Sequence, residues 1–233
     1  LRNWIAESMI SAVYPDLAVY GSNPNAGTTA PPGTTPVDQG GGGETTPPPA
    51  TGVDTGAWYS FGTAPNLPEA QRKTIAKGEY DKFKALCFVN YHCQPDGTQQ
   101  VALPNGQYRV MNPFDQFNGN QSGLRACVSE GIGYGMLATV FFGNPNLASA
   151  YRDSQAQMYF DGFWKYYKRY MNQRGLMNWC IKSDGTVNGT GGASDGDFDV
   201  AFALVMAHRI WGSAGTINYG QEATTLIKNI RDY

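Results

Sequence analysis

Residues 21–57 constrain this chain more than any other stretch. They read GSNPNAGTTAPPGTTPVDQGGGGETTPPPATGVDTGA and hold Pro24, Pro31, Pro32, Pro36, Pro47, Pro48 and Pro49, half of the chain's 14 prolines. Most of the remainder is Gly and Thr. Such a segment buries too little apolar surface to offset the entropy of ordering it. Its proline blocks are stiff and extended, and the glycine run around Gly43 is flexible. It reads as an interdomain linker of the kind that joins modules of secreted proteins, with a disordered tail as the alternative. The 233 residues therefore divide into 1–20, 21–57 and 58–233, and a core must come from the last of these. Residues 1–20 are more apolar and read as a leader or the tail of an upstream module, because so short a piece cannot form a core of its own. The chain begins at Leu1 without a signal-peptide pattern, so the expectation is a removed leader or a fragment.

Composition then excludes some functions. The formal charge is −2, only 15% of residues are charged, and no basic run occurs, so nucleic acid is not an expected partner. No apolar stretch approaches the roughly 18 residues of a membrane span. Aromatic residues make up 13% and glycines number 29. A surface with few charges and many aromatics suits neutral polar ligands such as sugars, which stack on ring faces.

Four cysteines, Cys87, Cys93, Cys127 and Cys180, allow three full pairings. Isolated thiols, or one or two structural disulfides, are the readings kept open, with Cys87 and Cys93 close enough for a local bridge. His92 beside Cys93 hints at zinc, but the only other histidine is His208 and no C-x-x-C exists, so no metal is assigned.

Within 58–233 the strongest signals are helical. Apolar spacing predicts helices over 81–91, 128–142, 146–171, 195–211 and 217–233. Gly143-Asn144-Pro145 ends the second, and 178–190 reads as a loop or short strands with turns at Asp184-Gly185 and Asn188-Gly189. No fixed repeat is present.

Two segments place acids where an ordinary helix would not. Ser129-Glu130-Gly131-Ile132-Gly133-Tyr134-Gly135-Met136 carries three glycines in about a turn and a half, each costing about 1 kcal/mol relative to Ala. The expectation is a carboxylate at a helix start, facing a space that the glycines keep open. The bland alternative is a first-turn Glu favoured by the helix dipole. Ala193-Ser194-Asp195-Gly196-Asp197-Phe198-Asp199-Val200-Ala201 crowds three carboxylates into one helix entry, with Ser194 the expected N-cap. Their repulsion exceeds what a cap needs, which points to binding or catalysis. The helix behind them is apolar almost all round and is expected to be buried. An EF-hand loop would need Gly at the sixth position and Glu at the twelfth; counted from Asp195 these are Val200 and Met206, so that calcium motif fails.

Together the two segments resemble glycoside hydrolase family 8. That family carries an S-E-G-x-x-Y-G-M run on one inner helix of an all-α (α/α)6 barrel. A later helix carries A-[ST]-D-[AG]-D-x-D-[IV]-A and is followed by Trp-Gly-Ser. Here these are Ser129 to Met136, Ala193 to Ala201, and Trp211-Gly212-Ser213. Leu176-Met177-Asn178-Trp179 is similar to a family Leu-x-x-Trp between them, and Val200 stands where Ile or Met is commoner. The resemblance covers about Asp81 to Tyr233.

It implies an inverting hydrolase of β-1,4-glycosidic bonds, foremost an endoglucanase, with xylanase as the alternative within the family. Glu130 would be the general acid and Asp195 would grip the sugar in the reactive subsite; the two are the implied catalytic pair. Trp179, Tyr134 and Asp197 would bind substrate, while Asp199 would be structural. For Glu130 to hold its proton, burial has to outweigh the helix start. Inversion also needs a carboxylate base about 6.5–9.5 Å from the acid. The resemblance places that base beyond Tyr233. Five helices of twelve also leave inner helices unpartnered, so the expectation is an incomplete barrel, unstable and inactive alone. No cofactor is implied, since two carboxylates suffice. The expected partner is a polysaccharide, the expected state a secreted monomer with appended modules possible through the linker. A noncatalytic sugar-binding module is the competing reading from another class. Family 9 and family 48 cellulases, which depend on other motifs, are not matched.

Overall fold

The computed structural model describes residues 68–113 and 124–232. The leader, the linker and the start of the globular part at Trp58 lie outside the described residues. The chain divides into two units, Leu1–Lys73 and Thr74–Tyr233, and both acid motifs belong to the second.

The described elements are five helices and seven short strands. Helix α1 (Glu69–Cys87) leads into strands β1 (Phe88–Val89), β2 (Tyr91–His92), β3 (Val101–Ala102), β4 (Arg109–Val110) and β5 (Cys127–Val128). Then follow α2 (Ser129–Phe142), α3 (Ala156–Arg169), β6 (Cys180–Ile181), β7 (Val187–Gly189), α4 (Ser194–Trp211) and α5 (Tyr219–Arg231). All strand pairs are antiparallel: β1 with β4, β2 with β3, and β5–β6–β7 as a three-stranded ribbon. Helix α4 packs on both α2 and α5, and α2 packs on α3.

Sequence predicts α2, α4 and α5 to within two residues. It misses most of α1. That helix has no apolar stripe; only Ala76, Tyr80 and Cys87 are buried, and Lys77–Asp81 is an ion pair at i,i+4, 2.6 Å. The predicted helix over 81–91 instead stops at Cys87, where the aromatic and β-branched run Phe88-Val89 suits a strand. The predicted third helix starts ten residues too early. In that stretch Asn144 Oδ1 accepts the Asn146 amide (2.9 Å) and Asp153 Oδ1 accepts the Gln155 amide (2.9 Å). These local turns compete with helix. Ser194 is not the cap of α4 as expected: Ala193 holds that position in extended conformation and no side chain caps it.

The core is aromatic. Phe160, Phe163, Trp164, Tyr166 and Tyr167 of α3 are all at most 1% exposed, and each such ring contributes about 2–3 kcal/mol of burial. Arg109 is fully buried and donates to the carbonyls of Tyr91 (2.8 Å) and Arg125 (2.6 Å), tying the small strands together. The cysteines are all buried and free, so the isolated-thiol reading holds and the Cys87–Cys93 bridge is absent. Cys87 ends α1 with its carbonyl on the Met111 amide, whereas Cys93 lies past β2 near Arg109 Nη2, 3.9 Å. Burial pushes the Cys87 thiol up to about 11 and Cys127 to about 12, which leaves both unreactive.

Helix α4 is not buried all round. Val200, Ala203, Leu204 and Ala207 are fully covered, but Phe198, Phe202 and Val205 are 59%, 48% and 42% exposed. Their spacing of four and three residues makes one uncovered apolar stripe. No helix among the described residues is long and apolar enough to cross a membrane.

Candidate active site

The position of Glu130 follows from the strands before it. Pairing of β5 with β6 sets Val128 opposite Cys180. The Ser129 amide then donates to the Trp179 carbonyl (2.9 Å), and the Trp179 amide to the Gly191 carbonyl (3.0 Å). One hydrogen-bonded ladder thus fixes three things: where α2 begins, where Trp179 sits, and where the loop into α4 passes. Val128 caps α2 in extended conformation without a side-chain bond, so Glu130 enters the first turn.

The glycines do something other than hold a space open. A Cβ on Gly196 would stand 2.6 Å from the Glu130 nitrogen and 2.8 Å from Ser129 Oγ. One on Gly133 would stand 2.7 Å from Asp199 Cβ and 3.3 Å from the Gly196 carbonyl. The first turns of α2 and α4 therefore meet backbone to backbone, glycine against glycine. Gly135 likewise admits Val110 Cγ2 (2.6 Å) and Phe163 Cε2 (3.0 Å). The expectation of an open space is corrected: Gly133 and Gly135 admit the protein's own neighbours. The crossing sets Glu130 beside the acidic turn 195–197.

Within that turn the acids diverge. Residues two apart on a helix lie about 200° apart around its axis. Asp195 is exposed, and its Oδ1 accepts the Gly196 amide at 2.8 Å. Asp197 is only 1% exposed and accepts the Tyr167 hydroxyl at 2.5 Å. Burial raises the Asp197 carboxyl above its ordinary value and the Asp195 charge adds to this, while the Tyr167 bond opposes it. Burial and the Asp197 carboxylate push the Tyr167 phenol above its own usual range. Asp199 lies against Gly133, in line with a packing role.

Tyr134, one turn after Glu130, donates its hydroxyl to Glu130 Oε1. The bond holds the orientation of the Glu130 carboxyl. Trp179 is half-buried, with its indole laid on Gly189, where a Cβ would come within 2.2 Å of Nε1. Glu130, Tyr134 and Asp195 are thus brought to one crossing, with Trp179 on the ladder beside it, and Asp197 is turned inward. Sequence reasoning missed Tyr167: it reads as one more core aromatic of α3, and only its hydroxyl gives it a polar task. Among the described residues no group of three or more His, Cys, Asp or Glu is placed to hold a metal ion.

The closing Trp-Gly-Ser also has a structural account. Trp211 Nε1 donates to the Gly143 carbonyl, 3.1 Å. Gly212 ends α4 with φ of +74°, a conformation that favours glycine. Ser213 Oγ receives the Gly220 amide, 2.9 Å, at the start of α5.

A helical scaffold that gathers two carboxylates at one crossing, with an indole beside them, is a layout suited to polar ligands such as sugars. Comparison with known families makes this specific: residues 105–233 match the model of glycosyl hydrolases family 8, and the chain belongs to that family. Endoglucanase 2 of Ruminiclostridium josui is 42% identical over 179 residues, covering 75% of this chain and 32% of that protein. Endoglucanase A of Acetivibrio thermocellus is 43% identical over 110 residues, covering 46% of this chain and 20% of that protein. The apo structure of a β-1,3-1,4-glucanase from Paenibacillus sp. X4 superposes with a TM-score of 0.54 at 32% identity, covering 75% of this chain and 40% of that one. The chain thus spans a third or less of these two curated relatives. Its helices form part of an (α/α)6 barrel.

Proposed function

We propose that this chain supplies the acid side of an inverting endo-β-1,4-glucanase. The observation that carries the reading is the glycine crossing of α2 and α4, which sets Glu130, oriented by Tyr134, against the Asp195 turn. In the proposed reaction the Glu130 carboxyl gives its proton to the leaving glycosidic oxygen as the bond to the anomeric carbon breaks. A water attacks that carbon from the opposite face and loses its proton to a second carboxylate, the base that inversion requires. Asp195, exposed and beside the acid, accepts hydrogen bonds from sugar hydroxyls. Trp179 offers a flat face to a glycosyl unit.

Glucan is favoured as substrate because the relatives with 42–43% identity are named endoglucanases. Xylan is the alternative, and mixed-linkage glucan is covered by the glucan reading. Secretion and attachment of further modules through 21–57 remain part of the proposal and rest on the Pro/Thr/Gly composition; a monomeric state is proposed with them. The test is reducing-sugar release on carboxymethylcellulose, mixed-linkage glucan, xylan and chitosan in parallel, by the protein extended past Tyr233 as far as its reading frame continues. Release from the glucans supports the reading. Release from xylan alone moves the substrate, and a folded protein silent on all four favours a sugar-binding module.

A further inference from the structure

Behind the acidic turn lies a buried pair that the reaction does not use directly. Asp197 shares the first turn of α4 with Asp195 but faces the interior. Its Oδ1 takes the Tyr167 hydroxyl from α3 at 2.5 Å, and its own amide donates to the Ala193 carbonyl at 3.0 Å. Tyr167 is fully buried and stacks on Trp164, ring centroids 5.2 Å apart and 21° from coplanar. Gly192 leaves just enough room: a Cβ there would stand 2.7 Å from Asp197 Oδ2 and 2.8 Å from Leu176 Cδ1. The main electrostatic influences on Asp197 include no cation, so a carboxylate has been placed in a core where a Leu would pack at lower cost. The first turn of α4 has no side-chain cap either. The Asp197 carboxylate also takes a backbone hydrogen bond from Ala193 within its own turn, whereas its bond to Tyr167 ties that turn to α3.

We infer that Tyr167 and Asp197 are positioning residues: their buried hydrogen bond fixes the rotation of the α4 entry and thereby the aim of Asp195 beside Glu130. The inference rests on the proposed function. It differs from two neighbouring readings. If Asp197 bound sugar, its charge would matter and Tyr167 would not; if the pair served packing alone, stability would change and turnover would not.

The experiment measures kcat, KM and melting temperature on the substrate the wild type cleaves, using the protein extended past Tyr233. The variants are Tyr167→Phe, Asp197→Asn, Asp197→Ala and the Tyr167→Phe/Asp197→Ala double. A small misplacement of a reacting group costs about tenfold to a hundredfold in rate. Tyr167→Phe and Asp197→Ala are each expected to lower kcat at least tenfold with KM within about twofold. Asp197→Asn keeps the acceptor for Tyr167 and should recover kcat to within about threefold of wild type. The double variant should lose less than the product of the two single losses, because both singles break the same Tyr167–Asp197 bond. Wild-type kcat in Tyr167→Phe overturns the inference, whatever its melting temperature. Asp197→Asn falling as far as Asp197→Ala also overturns it. If Tyr167→Phe does not fold, the Asn and Ala pair decides alone. Glu130→Gln and Asp195→Asn are measured alongside. If both stay active, the site reading itself fails and this inference with it; if they lose activity while Tyr167→Phe does not, only the inference fails.

Discussion

Helices α2 and α4 run side by side, and they are joined in different ways at their two ends. At the N-terminal ends the contact is backbone on backbone through Gly133 and Gly196, with no side-chain cap on either helix. At the C-terminal ends it is a large side chain on a carbonyl: Trp211 reaches over to Gly143, Gly212 stops the helix, and Ser213 receives α5. The second join is a self-satisfied structural corner. The first leaves two carboxylates, Glu130 and Asp195, at a shared rim, an arrangement that stability alone does not call for. The contrast separates the end that holds the helices together from the end that they hold in place.

Variants sharpen that contrast. The largest effect is expected for Glu130→Gln, with turnover down about a thousandfold, in the range for loss of a general acid, and a melting temperature close to wild type. Next is Gly196→Ala, whose methyl would meet the Glu130 and Ser129 backbone at 2.6 and 2.7 Å and Ser129 Oγ at 2.8 Å. Overpacking of this kind costs about 2–3 kcal/mol, so denaturant midpoint and turnover should fall together; an unchanged midpoint would break the account of the crossing. Trp211→Phe removes the indole donor at the far end. A loss of about 1 kcal/mol is expected in stability with kcat retained, and a large fall in kcat would erase the distinction between the ends.

The last effect, on how stability depends on pH, lies away from both ends. The His92 imidazole is held at about 4, below its ordinary 6.5, chiefly by burial, with Arg109 and Arg169 repelling the proton and the Ser183 carbonyl and Asp184 opposing them. Between these values the unfolded chain binds the proton and the folded one does not. Stability contributed by neutral His92 is therefore complete above about 6.5 and is lost as pH falls towards 4. The expected loss between pH 7 and pH 4.5 is about 2–3 kcal/mol. Unfolding by urea at pH 7 and pH 4.5, compared with His92→Gln, measures it, and equal slopes for the two proteins would contradict it.

Much of this was readable from the chain. The bounds of α2, α4 and α5 follow from period and from the breakers Gly143 and Gly212. Glu130, Tyr134, Asp195 and Trp179 come from the motifs. What stayed hidden has physical causes. The glycines of the 129–136 run signal a close approach, but a single strand of sequence does not say whether a sugar or another helix makes it; here α4, β4 and α3 do. Asp197 looks like its neighbours in a D-x-D-x-D run, and its burial depends on Tyr167, thirty residues earlier on α3. The long α1 lacks the apolar stripe by which a helix is recognised. Helix α4 reads as buried on every side, yet Phe198, Phe202 and Val205 stand exposed.

The central claim is that Glu130 is the proton donor. It is tested most directly by reducing-sugar release from carboxymethylcellulose, wild type against Glu130→Gln, in the protein extended past Tyr233. Binding to the polymer and the melting temperature are measured on the same samples. The account predicts that release falls about a thousandfold while binding and melting stay near wild type. Release by Glu130→Gln at the wild-type rate would contradict it.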